Sequence, residues 1–593
     1  MMMKRKVLPA LGLLLLFALP LLPVPEFWIT QLNYIGLFAL VSLGLVLLTG
    51  VGGLTSFGQA AFVGIGAYTT ALLSTRYGLS PWLGLALGLA ITLLVASVLA
   101  WLTLRMSGHY LPLATIAWAL ALNFAMGNME FLGKYDGISG VPPLQLFGLS
   151  LQDGRAIYPL IWAIAVLAAF GVRNLLDSRP GRAIRALNGA TTMAEAMGVS
   201  TFRYKVVIFL IAALLASVSG WLFAHYQRTV NPSPFALKMG IEYLFMAVVG
   251  GVGAVWGAFI GAGVFKIIED QLKELLPALL GSSGNFEIIV LGIVLVLIIK
   301  YAPKGLWPFV TELLGRRLPK TQRARDWQDA APLEARAKPA QGELLLDVDK
   351  VRKQFGGLLA VNDVSFQIRA GEIVGLIGPN GAGKSTTFNL VSGVLSLTSG
   401  TVSFRGRPVG GLSSRQIAQR GMSRTFQHVK MIADMTVLEN VALGGYLRSH
   451  SGTARAMLRL DRDEERRLFK EAEAQLQRIG MGAQMFELAG NLALGPQRLM
   501  EIARALCTDP ALLLLDEPAA GLRLKEKQAL AEVLRQLKGE GMSILLVEHD
   551  MEFVMGLTDR IVVMEFGTKL IEGTPEAIQN SAEVRAAYLG TEH

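Results

Sequence analysis

The first half of the chain is a succession of long apolar runs, whereas the second half alternates short apolar strands with amphipathic segments. The runs are long enough to cross the roughly 30 Å hydrocarbon core of a bilayer as helices. They lie near 29–50, 54–75, 81–104, 108–132, 157–174, 205–226 and 286–302. This pattern predicts a multi-pass α-helical membrane domain over residues 1–302, with eight to ten helices.

A further apolar run, 1–24, begins the chain with the basic residues Lys4 to Lys6. It resembles a signal peptide, but no small-x-small cleavage site follows, so we favour a retained first transmembrane helix. We expect both this basic end and the second half of the chain to be cytoplasmic, which requires an even number of crossings. Eight crossings with a re-entrant hairpin, or ten with a short pair, satisfy that requirement.

Two glycine-rich breaks, 50–53 and 250–253, interrupt the apolar runs about 200 residues apart. The second break separates Met239–Val249, too short to span as a straight helix, from Ala254–Ile268. Broken helices at corresponding positions of a weak repeat indicate a solute path at the repeat interface. Close packing of helices through Gly and Ala is an equally good explanation. Since the runs hold almost no charge, we expect backbone and small side chains to bind any solute.

The longest polar stretch between apolar runs is 178–204, and its arginines indicate a cytoplasmic position. We predict short helices here, with Ala194–Gly198 as the connection between them. A helix across the membrane face would give a cytoplasmic domain a surface to push against. A solvated loop is the alternative.

Residues 303–342 lack apolar periodicity and are predicted to be a linker. From Glu343 onward, strands and helices alternate, which predicts an α/β domain over 343–593 with an antiparallel β part at its start.

Composition and charge fit this division. The mean hydropathy of +0.46 is high for a soluble protein, and the apolar excess lies in the first half. The net charge of +10 comes with basic residues at the ends of apolar runs, for example Arg179, Arg185 and Arg316–Arg317. We attribute that charge to topology and lipid headgroups rather than to nucleic acid. Cys507 is the only cysteine, so a disulfide within the chain is excluded.

The segment from Gly378 to Ser385 satisfies G-x-x-x-x-G-K-[ST], the phosphate-binding loop. Gly378, Gly381 and Gly383 let backbone N–H groups turn towards phosphate oxygens, where a Cβ would block the approach. Lys384 supplies positive charge for the outer phosphates, and Ser385 offers a hydroxyl to Mg²⁺. The helix that starts there directs the positive end of its dipole at the nucleotide. The pattern predicts a binding site for a nucleotide and Mg²⁺.

Two adjacent carboxylates end the apolar strand Leu512 to Leu515. Asp516 is placed to organise Mg²⁺ through water, and Glu517 to polarise an attacking water. His549 follows another apolar strand, where it could donate to a γ-phosphate. These residues together predict a P-loop NTPase that hydrolyses its nucleotide.

The set of motifs resembles the nucleotide-binding domain of ABC transporters, over about 250 residues. Gly378–Ser385 matches Walker A, Leu512–Glu517 matches Walker B, and Ala519–Leu522 matches the D-loop. The resemblance implies that the ATP-binding residues also include Phe355 at the adenine, Asn380 and Thr386 in the loop, and Gly495 in the signature. It implies Gln427 as the Q-loop residue, a ligand of Mg²⁺ and part of the catalytic set, and His549 as the switch histidine.

More narrowly, FGGLLAVNDVSF, SRTFQHVKMIADMTVLENV, LLDEPAAGL and the terminal AAYLG resemble the ATPase of branched-chain amino-acid importers, the hydrophobic amino-acid uptake family. GGLTSFGQAAFVGIGAY and SRPGRAIRALNGATTMAEAMGVSTFRYK are similar to the permease of that family. The resemblance implies a fused permease and ATPase in a bacterial inner membrane, with the ATPase domain cytoplasmic. It implies ATP-driven import of branched-chain or related hydrophobic amino acids; another small solute, such as urea, a short amide or an aromatic acid, is the alternative.

One composite ATP site in such transporters needs Walker A of one cassette and the signature of another. The resemblance therefore implies a second permease and a second ATPase, or a self-dimer, together with a periplasmic binding protein. The signature here departs from the family pattern, because Leu494 and Pro496 stand where Tyr or Gly and Gln are common. We expect this departure to weaken one ATP site. An exporter or a membrane-anchored ATPase fits less well, since the motif contexts are importer-like and the apolar runs are many.

Overall fold

The computed structural model describes residues 12–106, 110–280, 287–313 and 326–589. The chain divides into two compact units. The first comprises Met1–Asp177 and Phe202–Pro319, and the second comprises Ser178–Thr201 and Lys320–His593. Some predicted features lie outside the described residues: the basic clusters Lys4–Lys6 and Arg316–Arg317, and residues 1–11 of the predicted first helix.

The first unit is almost entirely helical. Its helices are Glu26–Leu45, Gln59–Arg76, Pro81–Thr103, Tyr110–Asn128, Gly154–Leu176, Thr201–Gln227, Leu237–Gly250, Gly257–Leu280, Glu287–Tyr301 and Trp307–Leu313. Strand Ile138–Ser139 pairs with Thr229–Val230, and Leu144–Leu146 pairs with Leu149–Leu151. Within the described residues, five helical segments are long and apolar enough to cross a membrane, and Gly12–Leu21 and Ile289–Ile298 are shorter apolar helices. The number of crossings stays a prediction.

The two glycine-rich breaks lie against each other. Helix Glu26–Leu45 continues into a π-helical turn, Val46–Val51, which ends the first apolar segment at the first break. A Cβ added at Gly50 would lie 2.7 Å from the backbone nitrogen of Gly253, in the second break. A side chain at either place would therefore push the two backbones apart. The helix is also interrupted as predicted between Gly250 and Gly257.

The second unit is built on two sheets. The larger one has six strands in the order Met422–Arg424, Leu512–Asp516, Ser543–Val547, Ile373–Ile377, Arg560–Glu565 and Thr568–Gly573. All neighbours are parallel except the last pair. The central strands are buried along their whole length, which explains their unbroken apolar sequence.

The smaller sheet is antiparallel and confirms the predicted β part at the start of this domain. Its strands are, in order, Leu358–Arg369, Leu344–Phe355, Ser399–Phe404 and Arg407–Pro408. The unit's helices are Lys384–Val391, Ser414–Arg420, Val437–Ala442, Thr453–Met457, Arg462–Arg478, Leu494–Leu506, Leu524–Gly539, Met551–Met555, Pro575–Asn580 and Ala582–Leu589. The strand Met422–Arg424 was not predicted.

Residues 178–201 form two short helices that belong to the second unit. The helices are Arg179–Arg185 and Thr191–Ala196, so the prediction that Ala194–Gly198 connects them is wrong. Residues 186–190 make the connection instead, and the left-handed Gly198 (φ 88°) follows the second helix. The short, small side chains of this stretch gave no periodicity from which to place the turn.

The boundaries of the predicted linker, 303–342, stay a prediction, although parts of that segment are packed. Trp307–Leu313 is helical in the first unit, and Thr311 is buried there. Trp327 belongs to the second unit, where it is only 1% exposed in the main hydrophobic core.

Candidate functional site

The phosphate loop joins the buried strand Ile373–Ile377 to the helix Lys384–Val391. Two of its glycines have no room for a side chain. A Cβ at Gly378 (φ 151°) would lie 2.1 Å from the carbonyl oxygen of Met564, and one at Gly383 (φ 93°) would lie 2.6 Å from that of Ala360. Gly381 (φ 83°) faces open space, so its conformation rather than crowding favours glycine.

Lys384 folds its side chain back into the loop. Its ammonium donates to the carbonyl oxygens of Gly378, at 2.7 Å, and Pro379, at 2.9 Å. Burial lowers the pKa of this ammonium, and the nearby Glu517 carboxylate raises it in part. Ser385 and Asn380 are exposed and Thr386 is half-buried, so the polar side chains of the loop are accessible to a ligand.

The other predicted site residues follow the strands next to the phosphate loop. Strand Ser543–Val547 lies between Leu512–Asp516 and Ile373–Ile377. Because these strands are parallel, their carboxyl ends meet at one edge, and residues that follow them gather there. This register brings Asp516, Glu517 and His549 to the phosphate loop's edge of the sheet.

Glu517 receives a hydrogen bond from the Q-loop. The Nε2 amide of Gln427 donates to Oε2 of Glu517 at 3.1 Å. The backbone of Glu517 is left-handed (φ 46°), and its N–H donates to the carbonyl of Val547 at 2.9 Å. A non-glycine residue in this conformation costs free energy on the order of 1 kcal/mol or more, and such strain is common at functional sites.

Asp516 lies deeper, beside a buried arginine. Its Oδ2 is 3.8 Å from the Arg424 guanidinium, which lies 4.9 Å from the Phe388 ring centroid and 4.8 Å from that of Phe426. Burial raises the pKa of the Asp516 carboxyl and lowers that of Arg424 to about 10. The other carboxylate oxygen, Oδ1, is buried and has no hydrogen-bond partner among the described residues. A buried acceptor without a protein partner fits a bound water or a hydrated cation.

His549 is exposed, with 57% of its side chain accessible. Its Nδ1 lies 3.9 Å from Oε2 of Glu517 and 3.8 Å from Oε2 of Glu548. The fully buried Glu548 was missed by the sequence analysis, although it also follows the apolar strand. It accepts from the N–H of Ala519 at 2.7 Å and thereby fixes the start of the D-loop. Burial raises the pKa of the Glu548 carboxyl.

Phe355 and Gly495 contact other parts of the unit. Phe355 ends a strand of the smaller sheet, is 44% exposed and lies 5.0 Å from the Lys353 ammonium. Gly495 is buried in the first turn of helix Leu494–Leu506, where a Cβ would meet the flexible carboxylate of Glu526 at 2.7 Å. Pro496 is in the same turn, where a backbone N–H has no partner within the helix, so the proline removes no hydrogen bond.

Two further residues, also missed, join the signature helix to the Q-loop. Arg498 donates to the carbonyl oxygens of Phe426 at 2.9 Å and Gln427 at 2.6 Å. One helical turn later, Glu501 accepts from the N–H of Lys430 at 2.9 Å. Both side chains are buried, so the helix and the loop are held together by charged hydrogen bonds. Arg498 is therefore a positioning residue for Gln427.

The segment 178–201 is docked on the helices of its own unit by buried charges. The Arg182 guanidinium pairs with both oxygens of Glu465, at 2.8 and 3.0 Å, and the Arg179 N–H donates to Glu465 at 2.6 Å. The Arg179 guanidinium lies 3.8 Å from the ring centroid of Tyr446 and donates to its carbonyl oxygen. Leu447 covers Gly198, where an added Cβ would come within 2.3 Å.

Comparison with known proteins identifies both halves. Residues 28–299 match the family model of the branched-chain amino acid transport system permease component. Residues 361–520 match the ABC transporter model, and 569–593 match the branched-chain amino acid ATP-binding cassette transporter model. A high-affinity branched-chain amino acid transport ATP-binding protein, LivG of Salmonella typhimurium, is 46% identical over 249 residues, which cover 42% of this chain and 98% of that protein. The chain belongs to the branched-chain amino acid ABC transporter family.

Within this family the chain is a permease fused to an ATP-binding cassette, and it is a membrane protein. The cassette binds ATP, and the transporter is an assembly of several components. The BraF protein of Pseudomonas aeruginosa, named for the same transport, is 39% identical over 249 residues, covering 42% of this chain and 98% of that protein. A solved ATP-binding cassette of an ABC transporter in its ADP conformation is 29% identical, with 42% of this chain and 99% of that chain covered and a TM-score of 0.38.

Proposed function

We propose that this chain uses ATP hydrolysis to import branched-chain or related hydrophobic amino acids across a bacterial inner membrane, with the cassette on the cytoplasmic side. The observation on which the proposal rests is that the two halves, which match different family models, both match components of branched-chain amino acid transport. LivG and BraF are both named for the transport of the same solutes.

In the proposed ATP site, the nucleotide phosphates bind to Gly378, Asn380, Gly381, Gly383, Lys384, Ser385 and Thr386, and adenine stacks on Phe355. For the phosphates to enter, the Lys384 ammonium has to exchange its loop carbonyl acceptors for phosphate oxygens. Burial of that ammonium favours the exchange, because a desolvated cation gains more from an anion than a hydrated one does. Gly495 would bind the ATP held by a partner cassette.

The donor set fits a Mg²⁺ ion. Ser385, Gln427 and Asp516 would hold it, consistent with the unpartnered Oδ1 of Asp516. When bound, the ion neutralises charge on the phosphates. Glu517 then polarises the attacking water and receives its proton, Gln427 orients that carboxylate, and His549 donates to the γ-phosphate.

The proposed solute path lies in the first unit at the glycine breaks. The contact of Gly50 with Gly253 supports it, because it joins the ends of two interrupted helices from the two halves of the weak repeat. Backbone groups released from helical hydrogen bonding would bind the solute there.

The partners in this proposal are a second permease and a second ATPase, or a second copy of this chain, with membrane lipid around the helices and a periplasmic binding protein to deliver the solute; nucleic acid has no role. Purification of the tagged chain from its native membrane would distinguish the two assemblies. A single polypeptide species indicates a self-dimer, and additional subunits indicate a heteromer.

Pro496 in the signature is proposed to weaken the composite ATP site to which it contributes. The helix tolerates the proline, but the side-chain amide of the common glutamine is absent. Replacement Pro496→Gln should raise ATP turnover in the assembled transporter. Unchanged turnover would contradict this part of the proposal.

Uptake in native cells tests the function. Labelled leucine, isoleucine and valine are compared with urea, a short amide and an aromatic acid in wild-type cells and in a chromosomal Glu517→Gln mutant. The exposed Glu532→Gln on helix Leu524–Gly539 is the matched control. Loss of branched-chain amino acid uptake in the Glu517→Gln cells, with normal uptake in the Glu532→Gln cells, supports the proposal. Loss of uptake of another solute instead would reassign the substrate and leave the ATP-driven mechanism standing.

A further inference from the structure

The segment that leads along the chain into the cassette begins against one helix. We call residues 326–340 the strap. Its carbonyl oxygens at Asp326 and Ala330 accept hydrogen bonds from Arg466 and Lys470, both at 2.6 Å. Between them, the Trp327 indole N–H donates to Glu473 at 2.5 Å. Three side chains of helix Arg462–Arg478 therefore bind the first residues of the strap.

The same helix binds the segment 178–201. Glu465 receives the Arg182 guanidinium and the Arg179 N–H, and it precedes Glu473 by eight residues. Residues four apart lie on one face of a helix, so Glu465, Phe469 and Glu473 form one stripe. The strap occupies one end of that stripe and the segment 178–201 the other.

Phe469, in the middle of the stripe, contacts both. The Trp327 ring lies 5.4 Å from the Phe469 ring, centroid to centroid, and the Arg182 guanidinium lies 5.0 Å from the same ring. Trp327 is 1% exposed and Phe469 4%, so this pair of rings is buried. A movement of the indole would be transmitted to Phe469, because a close-packed interior leaves no space to absorb it.

We propose that the strap is part of the docking surface for the segment 178–201, with Trp327 as a positioning residue that fixes Phe469 and the adjoining Glu465 against Arg182. The connector between the halves thus strengthens the non-covalent attachment of the cassette to its own permease, besides joining them covalently. LivG is matched over 98% of its length by 249 residues of this chain. The proposal concerns attachment and does not depend on the solute.

The test separates covalent from non-covalent attachment in the full chain. A protease site is inserted within residues 314–325, the chain is cut in native membranes, and release of the cassette fragment is followed with time. We expect the wild-type fragment to stay bound. Trp327→Ala should release it at least tenfold faster, and Trp327→Phe, which keeps an aromatic ring against Phe469, should largely restore retention. Arg182→Ala should also accelerate release of the fragment. In the double variant Trp327→Ala/Arg182→Ala, the release rate should rise by less than the product of the two single effects.

General destabilisation is controlled by Phe404→Ala. Phe404 is as deeply buried but belongs to a separate core cluster around the smaller sheet. Binding of an ATP analogue to each cut fragment verifies that it is folded. Phe469→Leu supplies a variant that keeps apolar volume and removes the shared ring, and it should accelerate release as well. Three outcomes would overturn the proposal. The wild-type fragment could be released immediately after cutting, or the Trp327→Ala and Phe469→Leu fragments could be released at the wild-type rate. The Phe404→Ala fragment could also be released as fast as the Trp327→Ala fragment.

Discussion

Gln427 and Glu517, ninety residues apart in the chain, are joined by a hydrogen bond of 3.1 Å from the amide Nε2 to the carboxylate Oε2. The bond connects the Q-loop to the end of a central strand. Since Arg498 holds the backbone of Gln427, the position of the signature helix is linked to the orientation of the carboxylate through two side chains. For the hydrolysis proposed above, this geometry would couple the Glu517 carboxylate to the position of the helix.

Replacement of Glu517 by glutamine should abolish turnover and spare nucleotide binding. The amide keeps the size of the side chain but cannot accept a proton from water, so we expect ATP hydrolysis to fall by about 10²–10⁴-fold. ATP affinity should stay within threefold of the wild type. Steady-state ATPase assays and equilibrium binding measure the two quantities, with Glu532→Gln as the control; near-normal hydrolysis in Glu517→Gln would reject this carboxylate as the base.

Replacement of Lys384 by alanine should weaken ATP binding. A charged hydrogen bond to phosphate is worth about 1.5–3 kcal/mol, which corresponds to a rise in Kd of roughly 10- to 150-fold. Titration with ATP measures the change. Lys525→Ala, on the exposed start of helix Leu524–Gly539, is a control that removes the same charge from the surface. A Kd equal to that of the control would show that the lysine does not contact the phosphates.

Two glycines of the phosphate loop should differ in their tolerance of alanine. At Gly378 a methyl group would overlap the carbonyl of Met564, whereas at Gly381 it would face open space. Gly378→Ala should therefore lower thermal stability and abolish ATP binding. Gly381→Ala should cost only the strain of its backbone conformation, about 1 kcal/mol. Thermal unfolding with and without ATP compares them, and equal loss of stability in both variants would contradict the geometry.

Arg498→Ala should lower kcat for ATP hydrolysis more than it changes ATP affinity. Loss of the two hydrogen bonds to the Q-loop carbonyls releases Gln427 from its position at Glu517, and we expect about a tenfold lower kcat. Arg498→Lys, which keeps the charge but not the forked donor geometry, should recover part of the loss. The exposed Arg455→Ala is the control. An affinity change as large as the kcat change would indicate a general structural role instead.

Cys507 should be inert in the native protein. It is fully buried, and burial raises the pKa of its thiol to about 12. At pH 8 only about 10⁻⁴ of the thiol would then be thiolate, the form that reacts with alkylating agents. Since the unfolded thiol ionises first, raising the pH through 9 towards 12 should progressively destabilise the fold. Alkylation of the native chain at the rate seen in denaturant would contradict this prediction.

The buried strands and the positions of the two carboxylates that follow one of them were predictable because their signals are local. Leu512 to Leu515 is an unbroken apolar run, which predicts a buried strand or helix, and Asp516 and Glu517 follow it directly. The edge strand Met422–Arg424 has three residues and pairs on one side only, so its sequence contains no apolar run that predicts it. Its position depends on the neighbouring strand rather than on its own sequence.

The supporting residues of the site could not be predicted from the sequence, for a different reason. The roles of Arg498 and Glu501 depend on which loop lies against the signature helix, some seventy residues away in the chain. Trp327 is a single aromatic residue in a polar segment, and a single residue has no periodicity. Both kinds of contact become visible only when distant parts of the chain are brought together.

Fusion of permease and cassette also fixes their numbers. Both are made from one message, so a cell cannot produce one in excess of the other, and every copy of the cassette arrives at the membrane with its own permease. In a dimer of two such chains, mutant and wild-type subunits would mix at random as complete pairs. A chain with an inactive cassette is then expected to be genetically dominant, because in a mixed dimer it occupies a permease position as well as an ATP site.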